Sequence, residues 1–315
     1  MASSLVIDKD FAVALQPFLS GQQHVEKPKL YDVESRRARY AAIGGSAPQI
    51  PDSVAFEILT ISRPDGSSLK VHHFRHRDQK APAAAVIHFH GGGFISCTPD
   101  INTDRLSLVV RDTGVQAFSV DYRLAPEHPY PAAVDDAWTA LIWVREHAQT
   151  LGIDLSRLAV MGESSGGGLA AALTIRAREN HLSPPIARQV LGSPMLDDRT
   201  LGDVPGDFKL WDKDDNLTAW TAYLAGPPGG HNVPDTAAPA RVQSVTRLPS
   251  LYLDTSQFDL FVGENLDYVR RFIDAGIEVE LHLSPGLPHG FDGLLPTHRV
   301  SMQYEEHRKR ILKAL

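Results

Sequence analysis

The 315-residue chain carries 31 Lys and Arg against 38 Asp and Glu, a net charge of −7 that argues against nucleic acid or an anionic membrane as its main partner. Hydrophobic residues at 43 % and charged residues at 22 % describe an ordinary soluble globule, and no run is apolar for long enough to span a bilayer. The single cysteine, Cys97, excludes an intrachain disulfide, and with no basic region ahead of a long apolar run in Met1 to Ser20 it points to the cytoplasm.

In chain order, helices are expected over Asp8 to Leu19 and Asp32 to Ala42, with Pro28 between them and Gly44-Gly45-Ser46-Ala47-Pro48 closing the first 50 residues. Val54 to Ile61 alternates as a strand does, Arg63-Pro64-Asp65-Gly66 reads as a turn, and Leu69 to Phe74 is the return strand. The continuous apolar strand Ala83 to Phe89 runs into His90-Gly91-Gly92-Gly93-Phe94. A helix around Asp104 to Thr113, a strand Val115 to Asp121 and a long helix Pro131 to Gln149 follow, the last with proline near its first turn. The strand Arg157 to Met161 meets Gly162-Glu163-Ser164-Ser165-Gly166-Gly167, and an Ala-rich helix continues to Asn180. After the strand Arg188 to Gly192 the rhythm breaks at Leu201 to Gly230, which holds Phe208, Trp211, Trp220 and Tyr223. A short strand Leu251 to Leu253, a helix bearing Asp267 and Asp274 on its solvent side, a strand Glu278 to Leu283, a loop Ser284 to Pro288 and a terminal helix with His298 and His307 complete the chain. Alternating strand and helix predicts an α/β fold with a mostly parallel sheet and helices on both faces.

The strongest chemical signal is the Gly-x-Ser-x-Gly pattern between a strand and a helix. A sharp turn there lifts a serine hydroxyl clear of the sheet, and the glycines leave room for close neighbours. The glycine run after Phe89 supplies amides that can approach an oxyanion without side chains in the way, so Gly91, Gly92, Gly93 and Ser165 are expected to form that hole, Gly92, Gly93 and Ser165 foremost. A nucleophilic Ser164 needs a base and an orienting acid, and a serine on a strand-to-helix turn of this kind is followed along the chain by the acid and then the histidine. His289 follows a strand and a loop and suits the base, whereas His282 lies within a strand and His231 precedes the acid. Asp259, on a loop before a helix, is preferred as the acid over Asp254, at the end of a strand. His90 is expected to brace the glycine loop by hydrogen bonding, and Cys97 to be a small buried apolar residue. Fourteen histidines invite a metal site, but His72, His73, His76, His88 and His90 lack the spacing of a zinc hydrolase, so no metal or cofactor is expected. Asp197-Asp198 is read as a capping or salt-bridge pair.

These motifs, together with Asp121-Tyr122-Arg123-Leu124-Ala125-Pro126-Glu127-His128-Pro129-Tyr130-Pro131-Ala132-Ala133 and His289-Gly290-Phe291, resemble the hormone-sensitive-lipase branch of the α/β-hydrolases over residues 50 to 315. The resemblance implies a serine carboxylesterase acting on short acyl esters through Ser164, Asp259 and His289, with Glu163 in a supporting role. It implies a cap built from residues 1–50 and an insert at about 200–230 on a catalytic domain at 51–315. Phe94, Phe208, Trp211, Trp220 and Tyr223 are then candidates to line the substrate pocket, and a homodimer through the Glu278 to Leu283 edge strand is possible. Two departures stand out. Glu163 and Ser165 flank the serine where the family has Asp or Thr and Ala, and Asp259-Leu260-Phe261-Val262-Gly263-Glu264 keeps only the first acid and the last glutamate of the family's acid loop. A lactonase or amidase could use the same residues. A hormone receptor of the same fold lacks the histidine that this chain retains.

Overall fold

The computed structural model describes residues 5–22, 27–43, 48–204 and 210–315. Their elements are α1 (Lys9–Gln22), α2 (Val33–Ile43), β1 (Val54–Ser62), β2 (Ser68–His76), β3 (Ala83–Phe89), α3 (Thr103–Thr113), β4 (Gln116–Val120), α4 (Ala132–Glu146), α5 (Ala148–Leu151), β5 (Ile153–Glu163), α6 (Ser165–Glu179), β6 (Arg188–Gly192), α7 (Lys213–Leu224), β7 (Ser250–Phe258), α8 (Val262–Asp274), β8 (Val279–Pro288), α9 (Phe291–Leu294) and α10 (Arg299–Lys313). One eight-stranded sheet runs β1-β2-β4-β3-β5-β6-β7-β8, antiparallel across β1/β2 and β2/β4 and parallel from β4 to β8.

The period-2 side-chain alternation divides the core. On one face Ile87, Phe89, Val160, Leu191 and Leu253 meet α4, α6 and α8; on the other Val86, Ala159, Met161, Val190 and Tyr252 meet α3 and α10. All seven residues of β3 are buried, as a continuous apolar run requires of a strand covered on both faces. The chain leaves β3 to one side for β4 and then crosses to the other for β5. That reversal opens a crevice at the carboxyl ends of β3 and β5, where the glycine run and Ser164 lie.

Five local expectations change. The helix expected over 131–149 breaks at His147, whose ring stacks on Trp143 at 4.2 Å and whose Nδ1 bonds the Trp143 carbonyl at 2.8 Å, drawing the backbone out of helical angles. The strand expected over Leu251 to Leu253 continues to Phe258, and Ser284 to Pro288 continues β8, because Ser256 pairs with Ser284 and Phe258 with Pro288. His298 caps the terminal helix instead of lying within it, accepting the Val300 amide. Cys97 is half-buried with a left-handed backbone, φ 72°, instead of sitting in the core.

The two N-terminal helices sit apart from one another. Phe11 and Leu15 of α1 pack on Leu287, Phe291 and Tyr304, beside the segment carrying His289. Helix α2 lies against α7 of the insert, where buried Asp215 takes Arg36 Nε at 2.8 Å and Arg39 at 2.9 Å.

Candidate active site

Ser164 sits between β5 and α6 at φ 54°, ψ −123°, a conformation costing roughly 1–3 kcal/mol that persists only where its surroundings hold it. Its amide donates to Gly192 O at 2.9 Å, and its carbonyl accepts from Met195 at 2.9 Å and Gly168 at 3.0 Å. The turn is too tight for side chains on either side: a Cβ on Gly162 would lie 2.3 Å from Gly166 O, and one on Gly166 only 2.0 Å from Phe89 O.

His289 Nε2 accepts from Ser164 Oγ at 2.9 Å, while Nδ1 donates to Asp259 Oδ2 at 2.8 Å. Asp259 Oδ1 takes the Phe261 amide at 2.8 Å, which fixes the carboxylate plane. The Phe261 ring meets the imidazole edge-on at 5.0 Å. Asp254, the alternative acid, lies within β7 and is consumed elsewhere: Arg308 holds it in a two-pronged pair at 2.7 and 2.5 Å. Asp267 and Asp274 are exposed on α8.

The glycine loop is shaped from its carbonyl side. His90 Nδ1 donates to Gly91 O at 2.7 Å, and burial pulls this ring down to about 4, so it stays neutral. Gly92 O accepts from Ile95 N at 3.1 Å, Ser96 N at 3.0 Å and Ser96 Oγ at 2.9 Å. Carbonyl and amide of a trans peptide point in opposite directions, so these bonds turn the Gly92 and Gly93 amides the other way. Neither amide bonds any described residue. Ser165 begins α6, so its amide has no preceding helical carbonyl. His90 also stacks on Tyr122 at 4.3 Å, and Tyr122 Oη donates to His90 O at 2.7 Å. Gly92, Gly93 and Phe94 all have left-handed φ angles, 119°, 63° and 63°.

Glu163 turns away from the crevice into a buried charge network. It meets His88 Nε2 at 3.0 Å and Arg105 at 3.0 Å, Arg105 meets Glu305 at 2.5 Å, and Arg308 reaches Glu305 and Asp292 at 3.1 Å each. Burial opposes the charge on Glu163, yet Arg105 and His88 hold its carboxyl far below the usual range. The network thereby joins the residue before Ser164 to the segment just after His289. Asp198 pairs with Arg241 at 2.6 Å and Asp197 with Arg199 at 2.7 Å.

The aromatic candidates separate. Trp211 is the one beside His289: its ring centre lies 6.4 Å from that of His289, and a Cβ on Gly93 would come within 2.3 Å of it. Phe94 stacks on Tyr223 at 4.0 Å and meets Trp220 at 6.0 Å, all three fully buried, so this trio fastens α7 to the glycine loop. Phe208 lies outside the described residues. Sequence reasoning missed Phe261, Arg308 and Tyr122 as supports; only Tyr122 carried a signal, its place in the long Asp121-to-Ala133 motif. Among the described residues no group of three or more His, Cys, Asp or Glu side chains is arranged to hold a metal ion, and no helix is long and apolar enough to cross a membrane.

A family model described as alpha/beta hydrolase fold matches residues 86–293. The esterase LipI of Mycobacterium tuberculosis is 39% identical over 219 residues, 68% of this chain and 67% of the relative. The chain spans about two thirds of the length of this relative and of the carboxylesterase NlhH of the same organism, which is 36% identical over 219 residues. The ethyl acetate hydrolase of Pseudomonas putida is 30% identical over 297 residues, 90% of this chain and 92% of the relative. A solved bacterial heroin esterase superposes with a TM-score of 0.89 at 33% identity, covering 98% of both chains.

Proposed function

The chain belongs to the α/β-hydrolase family, in its hormone-sensitive-lipase branch, and from that premise we propose that it is a serine carboxylesterase of short-chain esters. The observation that carries this reading is the unbroken relay Asp259–His289–Ser164, at 2.8 and 2.9 Å, opening on the free amides of Gly92 and Gly93. His289 Nε2 takes the Ser164 proton as Oγ bonds to the ester carbonyl carbon. The carbonyl oxygen becomes an oxyanion facing Gly92, Gly93 and Ser165 amides. The tetrahedral intermediate collapses, His289 gives its proton to the departing alkoxide, and the alcohol leaves. Water then repeats the sequence: His289 takes its proton, the hydroxide adds to the acyl-enzyme, and Ser164 Oγ leaves with the proton returned. Asp259 keeps the proton on Nδ1 and stabilises the imidazolium.

Trp211 beside His289 and Gly93, with α2 packed on α7 and α7 on Phe94, limits the acyl group by volume; each methylene that fits contributes ~0.8 kcal/mol, and we expect room for about two to six carbons. The P. putida relative, named for an acetate ester, supports this size. In this reading residues 1–50 and about 200–230 form the cap, the single cysteine fits cytoplasmic residence, and the edge strand β8 offers a pairing face for a homodimer. The test is a panel of p-nitrophenyl esters of increasing acyl length, run alongside lactones and anilides. An optimum among short esters supports the reading, and turnover of lactone or anilide alone overturns it.

A further inference from the structure

The glycine loop cannot hold its own shape. Gly92, Gly93, Phe94 and Cys97 all have backbone φ between 63° and 119°, a region that non-glycine residues resist, so the loop needs partners outside itself. Part of that support comes from the loop and its neighbours: Gly92 O takes three donors, and Ala125 N donates to Phe94 O at 2.9 Å. A further hold, beside the rings of Tyr122, Trp220 and Tyr223, comes from an element far away in sequence. Arg37, on α2, donates from Nε to Ile95 O at 2.7 Å and from Nη2 to Ala125 O at 2.9 Å. One planar guanidinium therefore closes a ring through Ile95, Phe94 and Ala125. Glu127 grips the same guanidinium with both oxygens at 2.7 Å, and Glu34 adds a contact at 2.9 Å one helical turn back.

Helix α2 presents a different arginine face to each neighbour. Arg36 and Arg39, three residues apart and so on one side of the helix, both hold Asp215 of α7. Arg37, turned by one residue, holds the glycine loop. The helix thus links the insert above the crevice to the amides within it.

We propose that Arg37 is a positioning residue for the oxyanion hole: by fixing the Ile95 and Ala125 carbonyls, it makes the aim of the Gly92 and Gly93 amides depend on α2 being seated. The inference rests on the reading of those amides as the oxyanion donors. A purely structural tie would change stability and leave the binding of a tetrahedral oxyanion alone. A positioning role moves that binding and kcat together, because both use the same amides and the ground-state ester uses them less.

The experiment compares wild-type protein with Arg37→Leu, Arg37→Lys and the control Arg270→Leu, an exposed arginine of α8 paired with Asp274, each as the full chain. Steady-state kinetics with p-nitrophenyl acetate are set beside inhibition by 1-butaneboronic acid, which bonds to the serine and places an oxygen in the hole. For Arg37→Leu the expected result is a ~10²-fold loss of kcat, the scale of a small misplacement or a lost donor, with little change in KM and a parallel loss of boronate affinity. Arg37→Lys, able to reach one carbonyl, falls between, and Arg270→Leu matches wild type. If Arg37→Leu does not fold, Arg37→Lys alone decides by the same two readouts. Unchanged boronate affinity in a folded Arg37 variant overturns the inference, whatever its melting temperature. Failure of the boronate on wild-type protein, or full activity of Ser164→Ala, overturns the underlying site reading instead.

Discussion

Replacing Asp259 by Asn exchanges one oxygen for an NH2 at the foot of the relay, and the surrounding donors dictate the outcome. Oδ1 accepts the Phe261 amide at 2.8 Å and Oδ2 faces His289 Nδ1 at 2.8 Å. The Phe261 N–H can only donate, so the Asn carbonyl stays on that side and its NH2 turns to the histidine. An amide NH2 has no acceptor capacity, so Nδ1 must lose its proton and Nε2 must carry one. The ring then points an N–H at Ser164 Oγ, and the base is gone, a loss of ~10⁴-fold in kcat, or about 5 kcal/mol. The flipped amide restores the tautomer but opposes two donors in a buried site at about 1–3 kcal/mol, which sets a floor of roughly tenfold even before the lost negative charge is counted. We therefore expect kcat for p-nitrophenyl acetate to fall between ~10² and ~10⁴-fold. Asp254→Asn makes the same change against Arg308, both partners within 2% of full burial, and should lower the melting temperature while sparing kcat. A greater kcat loss in Asp254→Asn than in Asp259→Asn, with both folded by circular dichroism, would refute this assignment of the acid.

Three further outcomes are expected. Ser164→Ala should keep the fold and lose nearly all turnover, leaving a residual of roughly 10³-fold over water from binding and the oxyanion amides; near wild-type rates would exclude Ser164 as nucleophile. Trp211→Ala should shift the ester panel towards longer acyl chains, each newly accommodated methylene contributing up to ~0.8 kcal/mol in kcat/KM, and an unmoved optimum would take Trp211 out of the pocket. His90 is held near 4 in the fold against 6.5 when exposed, so the unfolded chain binds more protons between those values. Its contribution to stability is complete above about 6.5 and is lost as the pH falls towards about 4, up to roughly 3 kcal/mol; urea midpoints of His90→Asn should be flatter than wild type across that window.

The strands, the glycine loop and the serine turn were legible because each is written locally. A strand buried on both faces shows as an unbroken apolar run, Ala83 to Phe89, and a tight turn shows as glycines at Gly162 and Gly166. The order of Ser164, Asp259 and His289 along the chain narrowed the partners, and the structure brings those three side chains together. What escaped the sequence was the choice of partner over long separations. Nothing near Arg36 announces Asp215, 179 residues away, and nothing near Arg308 announces Asp254. Pairs of this kind are chosen by the packing of α2 on α7 and of α10 on the sheet, which local periodicity does not encode. The two N-terminal helices likewise find different partners, α1 the apolar residues Leu287, Phe291 and Tyr304 and α2 the carboxylate of Asp215, and no local pattern announces either. The break at His147 came from a side chain competing for a backbone carbonyl, which outweighed an otherwise helical run.

The placement of β8 as the last strand, at the rim of the sheet, also sets a timetable. Ser164 and the glycine loop leave the ribosome early, and His289 follows 125 residues after the serine. At about 5–20 residues per second His289 trails Ser164 by roughly 6–25 s. On the proposed relay, a nascent chain holds Ser164 with no proton acceptor beside it until the segment after β8 docks. If that relay carries the reaction, a product clipped ahead of β8 lacks His289 and is inert from the outset.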